Sequence, residues 1–408
     1  MILKIIFRNL FFKLSGTLLS IVLLTFGVGI ISLLLNVYHQ TEDKFDNDLR
    51  GVDLVVGAKG SPLQLVLSAV YHVDAPTGNI LRKDAERIVH DPLVERAIPL
   101  AYGDSYRTFP IVGTDSDYLG MYGAVFRDGH VFTHPLEAVI GSQVAASAGL
   151  RQGDMFMGTH GLGAKGHVHK EFQYKVVGIL KPSNTVLDNM VVTDVATVWK
   201  IHHHPSPEEK GDEAGKEAEH GADTTRPEDE LTAILLKFRS PMGLLTIPRI
   251  VNETTNMQAA SPVLEISRLF NLLGIGVSTM EWIAFAIMLL SGLSVFISLY
   301  SRLEERKYEL ALARSMGSSR LLLFGMILSE GLFLSLAGFF TGILLGRAAL
   351  LVLGKYAGGN FHMNFYGSGF SAEEGLLLLA TLGIGLLASV IPAVKAFRLN
   401  ISKTLAND

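Results

Sequence analysis

The 408-residue chain contains no cysteine. Disulfides, thiolate nucleophiles and cysteine-ligated metals are therefore closed to it, and any part outside a membrane must be held by its own apolar core. An excess of charge is missing as well. The chain has 35 Lys and Arg against 39 Asp and Glu, a formal net charge of −4. Without a clustered basic face it does not read as a nucleic-acid binder. A phosphate loop is also absent. The nearest stretch, GLGAKGHV at Gly161–Val168, has His167 directly after its last glycine. The loop needs a lysine there, followed by serine or threonine, to reach the phosphates and magnesium. No nucleophile–base pattern and no firm metal spacing is present, which argues against a membrane-bound hydrolase. Any ATP hydrolysis must come from another chain, so no cofactor is expected here.

Apolar residues make up 49% of the chain and mean hydropathy is positive, the signature of a membrane protein. Lys4, Arg8 and Lys13 precede the charge-free run Leu14–Val37, which is long enough at 1.5 Å per residue to cross a hydrocarbon core of about 30 Å. Asn36-Val37-Tyr38-His39 offers no small-residue cleavage site, so this first span reads as an uncleaved anchor. Trp282–Tyr300 is the second span, with an aromatic anchor at each end. Leu264, Leu269, Phe270, Leu273 and Val277 extend it as a stalk. Leu321–Leu353 and Gly375–Val394 are the third and fourth spans.

Lys and Arg gather at the N-terminus, after the second span and in the tail (Lys395, Arg398, Lys403), whereas Gly354–Glu374 has only Lys355. Both termini and the loop after the second span are therefore expected in the cytoplasm. The expected layout is an N-terminal segment and first span (1–37), an inserted extracytoplasmic α+β domain (38–262), and a stalk with the second span (263–300). A cytoplasmic helix (301–320), third span (321–353), short outer loop (354–374), fourth span (375–394) and cytoplasmic tail (395–408) complete it.

Within 38–262, alternating apolar runs predict strands at Asp53–Val56, Arg107–Val112, Asp154–Gly158, Glu171–Leu180, Met190–Val192 and Leu231–Phe238. Helices are expected at Arg82–His90 and Ser142–Ala148. Asp53–Ile80 mixes a strand, a glycine-rich turn and an amphipathic helix; it either packs the domain onto the first span or forms a gate facing cargo. His202, His203 and His204 open an acidic, disordered loop near 201–230, and His160, His167 and His169 flank a glycine-rich turn. These six histidines can collect a metal ion such as zinc or act as plain solvated polar residues, and no spacing fixes a ligand set.

In the third span, Gly338, Gly342 and Gly346 at four-residue spacing let two helix backbones approach, either for a contact that slides, within the chain or between copies, or for static packing. Glu330 lies inside this run, where a carboxylate is costly. With no second buried acid or histidine in the spans, a structural or coupling role is favoured over proton carriage. Arg347 is expected to reach the outer headgroups.

Between the second and third spans lies SRLEERKYELALARSMGSSRLLLFGMILSE, Ser301–Glu330. Good helix formers with charges of both signs predict a short helix, stopped by Gly317 and followed by a new cap at Ser318-Ser319. By charge alone it is either an ordinary solvated loop or a helix that fits a cleft on a soluble partner. Glu305-Arg306, Glu309, Leu312-Ala313, Met316-Gly317-Ser318, Arg320 and Glu330-Gly331, in that order, resemble the E-R-x-x-E-x-x-x-L-R-A-x-G-A-x-x-x…E-G pattern of the FtsX/MacB-like family of ABC transporter permeases. The tail IPAVKAFRLNISKTL, Ile391–Leu405, is similar to the family's P-A-x-x-A-x-x-x-x-P-x-x-x-L. Ala313-Arg314-Ser315 stands where Leu-Arg-Ala is usual, and Ile401 where proline is common.

The resemblance implies a multi-pass protein of the bacterial inner membrane, a homodimer served by a separate ABC ATPase subunit that binds the ATP. Glu304, Glu305, Arg306, Glu309, Leu312, Gly317, Arg320, Glu330 and Gly331 would couple the two. It further implies export or lipoprotein extraction with a periplasmic adaptor or lipoprotein as partner. The alternatives are a non-transporting force transmitter that regulates an extracellular enzyme, and a zinc-linked transport component.

Overall fold

The computed structural model describes residues 14–73, 75–160, 168–202, 229–360 and 369–399. It divides into two compact units, one made of Met1–Thr41 with Leu272–Asp408 and the other of Glu42–Asn271. Among the described residues four helices are long and apolar enough to cross a membrane, and the inserted unit mixes strands and helices, so the fold class matches the expectation.

The four long helices are Leu14–Asp48, Pro262–Glu305, Arg320–Asn360 and Ala372–Phe397, with a short helix, Lys307–Ser315, between the second and third. Only a helix satisfies its own backbone in hydrocarbon, which explains why every charge-free run adopts it. The helices outlast those runs where the flanking residues are good helix formers. The first continues past Val37 through HQTEDKFDND, whose Lys44 and Asp48 pair one turn apart at 2.8 Å. The fourth begins with a capping box: Ser371 accepts from the Glu374 amide and the Glu374 side chain returns to the Ser371 amide.

The bundle core is Leu24, Val28, Met288, Val295, Leu299, Leu334, Phe339, Ile343 and Leu377. Two lines of small residues bring its helices together. A Cβ on Gly338, Gly342 or Gly346 would stand 2.5 Å from Leu24, 2.7 Å from Val28 or 2.9 Å from the Gly29 carbonyl oxygen, so this stripe packs on the first helix of the same chain. A Cβ on Gly331 would meet Ser389 at 2.6 Å, and one on Gly385 would meet Ser335 Oγ at 1.6 Å, fixing the third helix against the fourth.

The inserted unit contains β1 (Leu54–Ala58), β2 (Ile80–Leu81), β3 (Val94–Tyr106), β4 (Phe109–Thr114), β5 (Phe126–Gly129), β6 (Glu137–Ile140), β7 (Met155–His160), β8 (Val168–Leu180), β9 (Val191–Asp194), β10 (Glu230–Leu231), β11 (Ala233–Phe238) and β12 (Met257–Ala260). Ten of them form one sheet in the order β12-β1-β11-β3-β4-β9-β6-β8-β5, with β7 pairing β3 and β8. β2 and β10 make a separate pair. The long strand β3 joins two halves: Val94–Leu100 pairs antiparallel with β11, and Ala101–Tyr106 with β4. Pro99, which has no N–H to give, sits in the first stretch, before the pairing with β4 begins. The pairs β4–β9 and β6–β8 are parallel, and the remaining pairs of this sheet are antiparallel. Helices Pro62–Ala69, Arg82–Val89, Ser116–Met121, Ser142–Ala148, Val195–His202 and Met242–Thr254 accompany the strands. Three apolar clusters, centred on Leu65, Tyr118 and Val192, on Leu54, Ile234 and Val251, and on Ile111, Ile140 and Tyr174, fill the unit.

Candidate functional site

The short helix Lys307–Ser315 follows a break at Arg306 and ends before Gly317, whose φ of +105° is a conformation that a side chain would strain. Ser319 then caps the third long helix by accepting from the Leu322 amide at 3.1 Å. At nine residues the short helix is below the length that is stable alone. Tertiary contacts hold it: Leu310 packs with Leu303, Leu323, Ile327, Ala393 and Ala396. The opposite face leaves Tyr308, Leu312 and Met316 exposed at four-residue spacing, 48%, 45% and 75% respectively. On the same exposed side Glu309 takes the Arg306 guanidinium at 3.0 Å.

Of the residues singled out in this region, Glu305 and Arg320 are exposed, and Leu312 lies within the apolar stripe. Glu304 faces inward to pair with both Lys307 and Lys395. Lys395 Nζ also donates to the Tyr300 hydroxyl and stands 4.0 Å from the centroid of its ring. Arg314 Nη1 donates to the Leu399 carbonyl oxygen at 2.6 Å. Gly331 is a helix-packing position, and Glu330 is 4% exposed. Arg302, on the second long helix, is likewise buried, 5% exposed. The Arg302 Nη2 donates to Thr17 Oγ1 at 2.7 Å and Ser298 Oγ at 2.8 Å, while its Nε and Nη1 have no hydrogen-bond partner among the described residues.

Farther along the third helix a second polar group ties the bundle. Glu374, fully buried, accepts from Ser32 Oγ at 2.9 Å and Asn36 Nδ2 at 3.2 Å, and pairs with Arg347 at 3.1 Å. This corrects two expectations. Arg347 serves a carboxylate within the chain instead of lipid headgroups, and Glu374 is a second buried acid in the spans. Both escaped notice because Glu374 lies in the first turn of its helix, where it reads as loop. Arg302, Lys395 and Glu374 were not picked out as site residues. The signal available was simply an ionisable residue at the edge of an apolar run.

In the inserted unit, His72 has a left-handed backbone, φ 55°, and its ring lies between two tyrosine hydroxyls. Tyr118 meets Nε2 at 2.9 Å and Tyr102 meets Nδ1. Burial pushes the imidazole down to about 3 and pushes the hydroxyls of Tyr102 and Tyr118 upward, so the cluster is neutral. His167, His203 and His204 lie outside the described residues. His160 belongs to β7, His169 to β8 and His202 to the helix Val195–His202, with their side chains outside what is described. Among the described residues no group of three or more histidine or acidic side chains is placed to hold a metal ion.

Four apolar spans among the described residues, two of them braced by the Arg347–Glu374 ion pair, with a large α+β unit inserted after the first, define a multi-pass membrane protein. Residues 282–401 match the FtsX-like permease C-terminal family, and residues 17–234 match the MacB-like periplasmic core domain. The chain belongs to the FtsX/MacB-like family of ABC transporter permeases. It is 25% identical over 334 residues to an uncharacterized ABC transporter permease protein of Mycobacterium tuberculosis, which covers 77% of this chain and 35% of that protein. The chain thus spans about a third of the length of that relative. The periplasmic region of MacB from Actinobacillus actinomycetemcomitans aligns with 55% of this chain and 96% of its own, with a TM-score of 0.33 at 10% identity. The extracellular domain of the noncanonic ABC-type transporter YknZ from Gram-positive bacteria aligns with 52% and 99%, with a TM-score of 0.30 at 12% identity.

Proposed function

We propose that this chain is the permease subunit of an ABC complex in which a separate ATPase docks on the helix Lys307–Ser315 and drives movements of the inserted unit, for export or for extraction of a lipoprotein or similar substrate. The observation that carries the reading is the exposed stripe Tyr308, Leu312 and Met316 on a helix whose other face is packed into the bundle. Membership of the family supplies the occupant: a nucleotide-hydrolysing partner, since no phosphate loop exists in this sequence. Glu305, Arg306, Glu309 and Arg320 frame the stripe with charges that orient the partner.

In this reading both termini and the short helix face the cytoplasm, the inserted unit faces the other side, and two copies assemble. Leu272, Ile275, Trp282 and Leu290 of the second long helix are more than half exposed and are covered by lipid or by the second copy. The Gly338–Gly342–Gly346 stripe is used within the chain. A periplasmic adaptor or a lipoprotein is the expected further partner.

The test is to purify the full chain with its ATPase and measure ATP hydrolysis. Leu312→Glu and Met316→Glu should release the ATPase while leaving the permease folded. Association unaffected by either change, or labelling of Arg306→Cys from the outer face of intact cells, would refute it.

A further inference from the structure

The two sequence signatures, Ser301–Glu330 and the tail from Ile391, meet in the fold although most of the third span and much of the fourth lie between them in the chain. Leu310 of the short helix packs on Ala393 and Ala396 of the fourth long helix. Glu304, at the end of the second long helix and one turn before Lys307, holds Lys307 and Lys395 together. Lys395 is further fixed by the hydroxyl and the ring face of Tyr300. At the other end of the short helix, Arg314 reaches the Leu399 carbonyl oxygen, just past the fourth helix, where carbonyls lack helical partners and cations are favoured.

Single ion pairs at this degree of exposure contribute little. Three features give this one mechanical meaning: a shared carboxylate, an aromatic platform and an independent strap at the far end. A short helix joined only through flexible ends would absorb a push, whereas one fastened on two sides passes it on.

We propose that Lys395 is a positioning residue that, through Glu304, fastens the junction of the second long helix and the short helix to the fourth span, so that a load applied at Lys307–Ser315 enters Ala372–Phe397 there and not only the second and third spans. The proposal rests on the docking reading above. From the fourth helix the load continues into the third through the Gly331–Gly385 contact.

Because the chain has no cysteine, single reporter cysteines can be introduced one at a time. Leu379, 67% exposed on the fourth helix, and Leu321, 73% exposed at the start of the third, carry a nitroxide label in the full complex with its ATPase in lipid nanodiscs. Addition of magnesium-ATP should change the spectrum at both positions. With Lys395→Glu the ATPase still binds and Leu321 still responds, while the Leu379 response falls about fivefold, the low end of coupling between sites. Lys395→Arg retains the response, and the swap Glu304→Lys with Lys395→Glu restores it.

A Leu379 response undiminished by Lys395→Glu, or one that the swap does not restore, overturns the proposal. Should Lys395→Glu fail to fold, Lys395→Met removes the ion pair with Glu304 without reversing the charge. It should lower the Leu379 response with ATP hydrolysis retained, and an unchanged response there also overturns the proposal. An ATPase that does not bind the wild-type chain refutes the docking reading and this proposal with it, a result distinct from loss at the fourth span alone.

Discussion

The contact between the third and fourth long helices makes a prediction of opposite signs for four glycines. A Cβ placed on Gly385 would lie 1.6 Å from Ser335 Oγ and 2.8 Å from its Cβ, and one on Gly331 would lie 2.6 Å from Ser389 Cβ and 3.0 Å from the Gly385 carbonyl oxygen. Ser335 cannot simply swing aside, because its hydroxyl bonds the Gly331 carbonyl at 2.9 Å. Backbones must part instead. Overpacking of this kind costs about 1–3 kcal/mol. Replacing a helical glycine by alanine returns about 1 kcal/mol of backbone entropy. Gly331→Ala should therefore destabilise by about 1 kcal/mol and Gly385→Ala by about 2 kcal/mol or more.

Gly325 and Gly383, on the same two helices, meet nothing within 4 Å among the described residues. Alanine at either should stabilise by up to about 1 kcal/mol. Thermal unfolding of the four variants of the full chain in one detergent reads the result. If Gly385→Ala raises the melting temperature as Gly383→Ala does, these helices do not touch along this line. If Gly331→Ala leaves stability unchanged but abolishes stimulation of ATP hydrolysis, Gly331 acts in coupling and not in packing.

Other outcomes are expected elsewhere. Glu374→Leu strips Arg347, Ser32 and Asn36 of their shared acceptor. It should cost about 3–5 kcal/mol in the same unfolding assay, part of it recovered by adding Arg347→Met. Asp188 accepts from the Ser183 and Asn184 amides at 3.0 and 2.7 Å and from Ser142 Oγ at 3.0 Å. Asp188→Ala should cost about 1–3 kcal/mol and deprotect those amides in hydrogen exchange, and unchanged exchange would contradict the assignment. His72, held near 3 when folded against an unfolded value of 6.5, binds fewer protons in the folded chain. Its stabilising effect is complete above about 6.5 and is lost as pH falls toward 3, by at most about 1.4 kcal/mol per pH unit. Amide protection around Tyr102 and Tyr118 should fall across this window, and His72→Gln should flatten the dependence.

The spans were legible because lipid demands an unbroken apolar helix, and Leu14–Val37 or Gly375–Val394 can be nothing else. Their ends were not legible. Phe45 is a lone apolar mark on the continuation of the first helix to Asp48, which rests on its packing against Tyr71 and Phe270 and on the Lys44–Asp48 pair. In the inserted unit, the helices at Arg82–Val89 and Ser142–Ala148 and parts of β1, β4, β7, β8, β9 and β11 were visible from the spacing of their apolar residues. The long strand β3 was hidden: VERAIPLAYGDSY carries Pro99, Gly103 and charges that read as loop, and only pairing to β11 and β4 on successive stretches makes it a strand. The glycines at 338, 342 and 346 announced a close approach, but their partners on the first helix are three hundred residues away in sequence. The buried ion pair is equally non-local. Glu374 and Arg347 could each be read alone, whereas their pairing belongs to the folded bundle.

The two braces also have a consequence for the lipid around the protein. Glu330 and Arg347 stand seventeen residues apart on one helix, about 25 Å at 1.5 Å per residue. Thr17 and Ser32, which bond Arg302 and Glu374 from the first helix, are fifteen apart, about 22 Å. The chain thus carries an internal gauge of acyl thickness, slightly shorter than a typical hydrocarbon slab. Long-chain or sterol-rich bilayers would pull one charged collar toward the oily interior unless the annulus thins, and thinner membranes are where this protein should reside and run best.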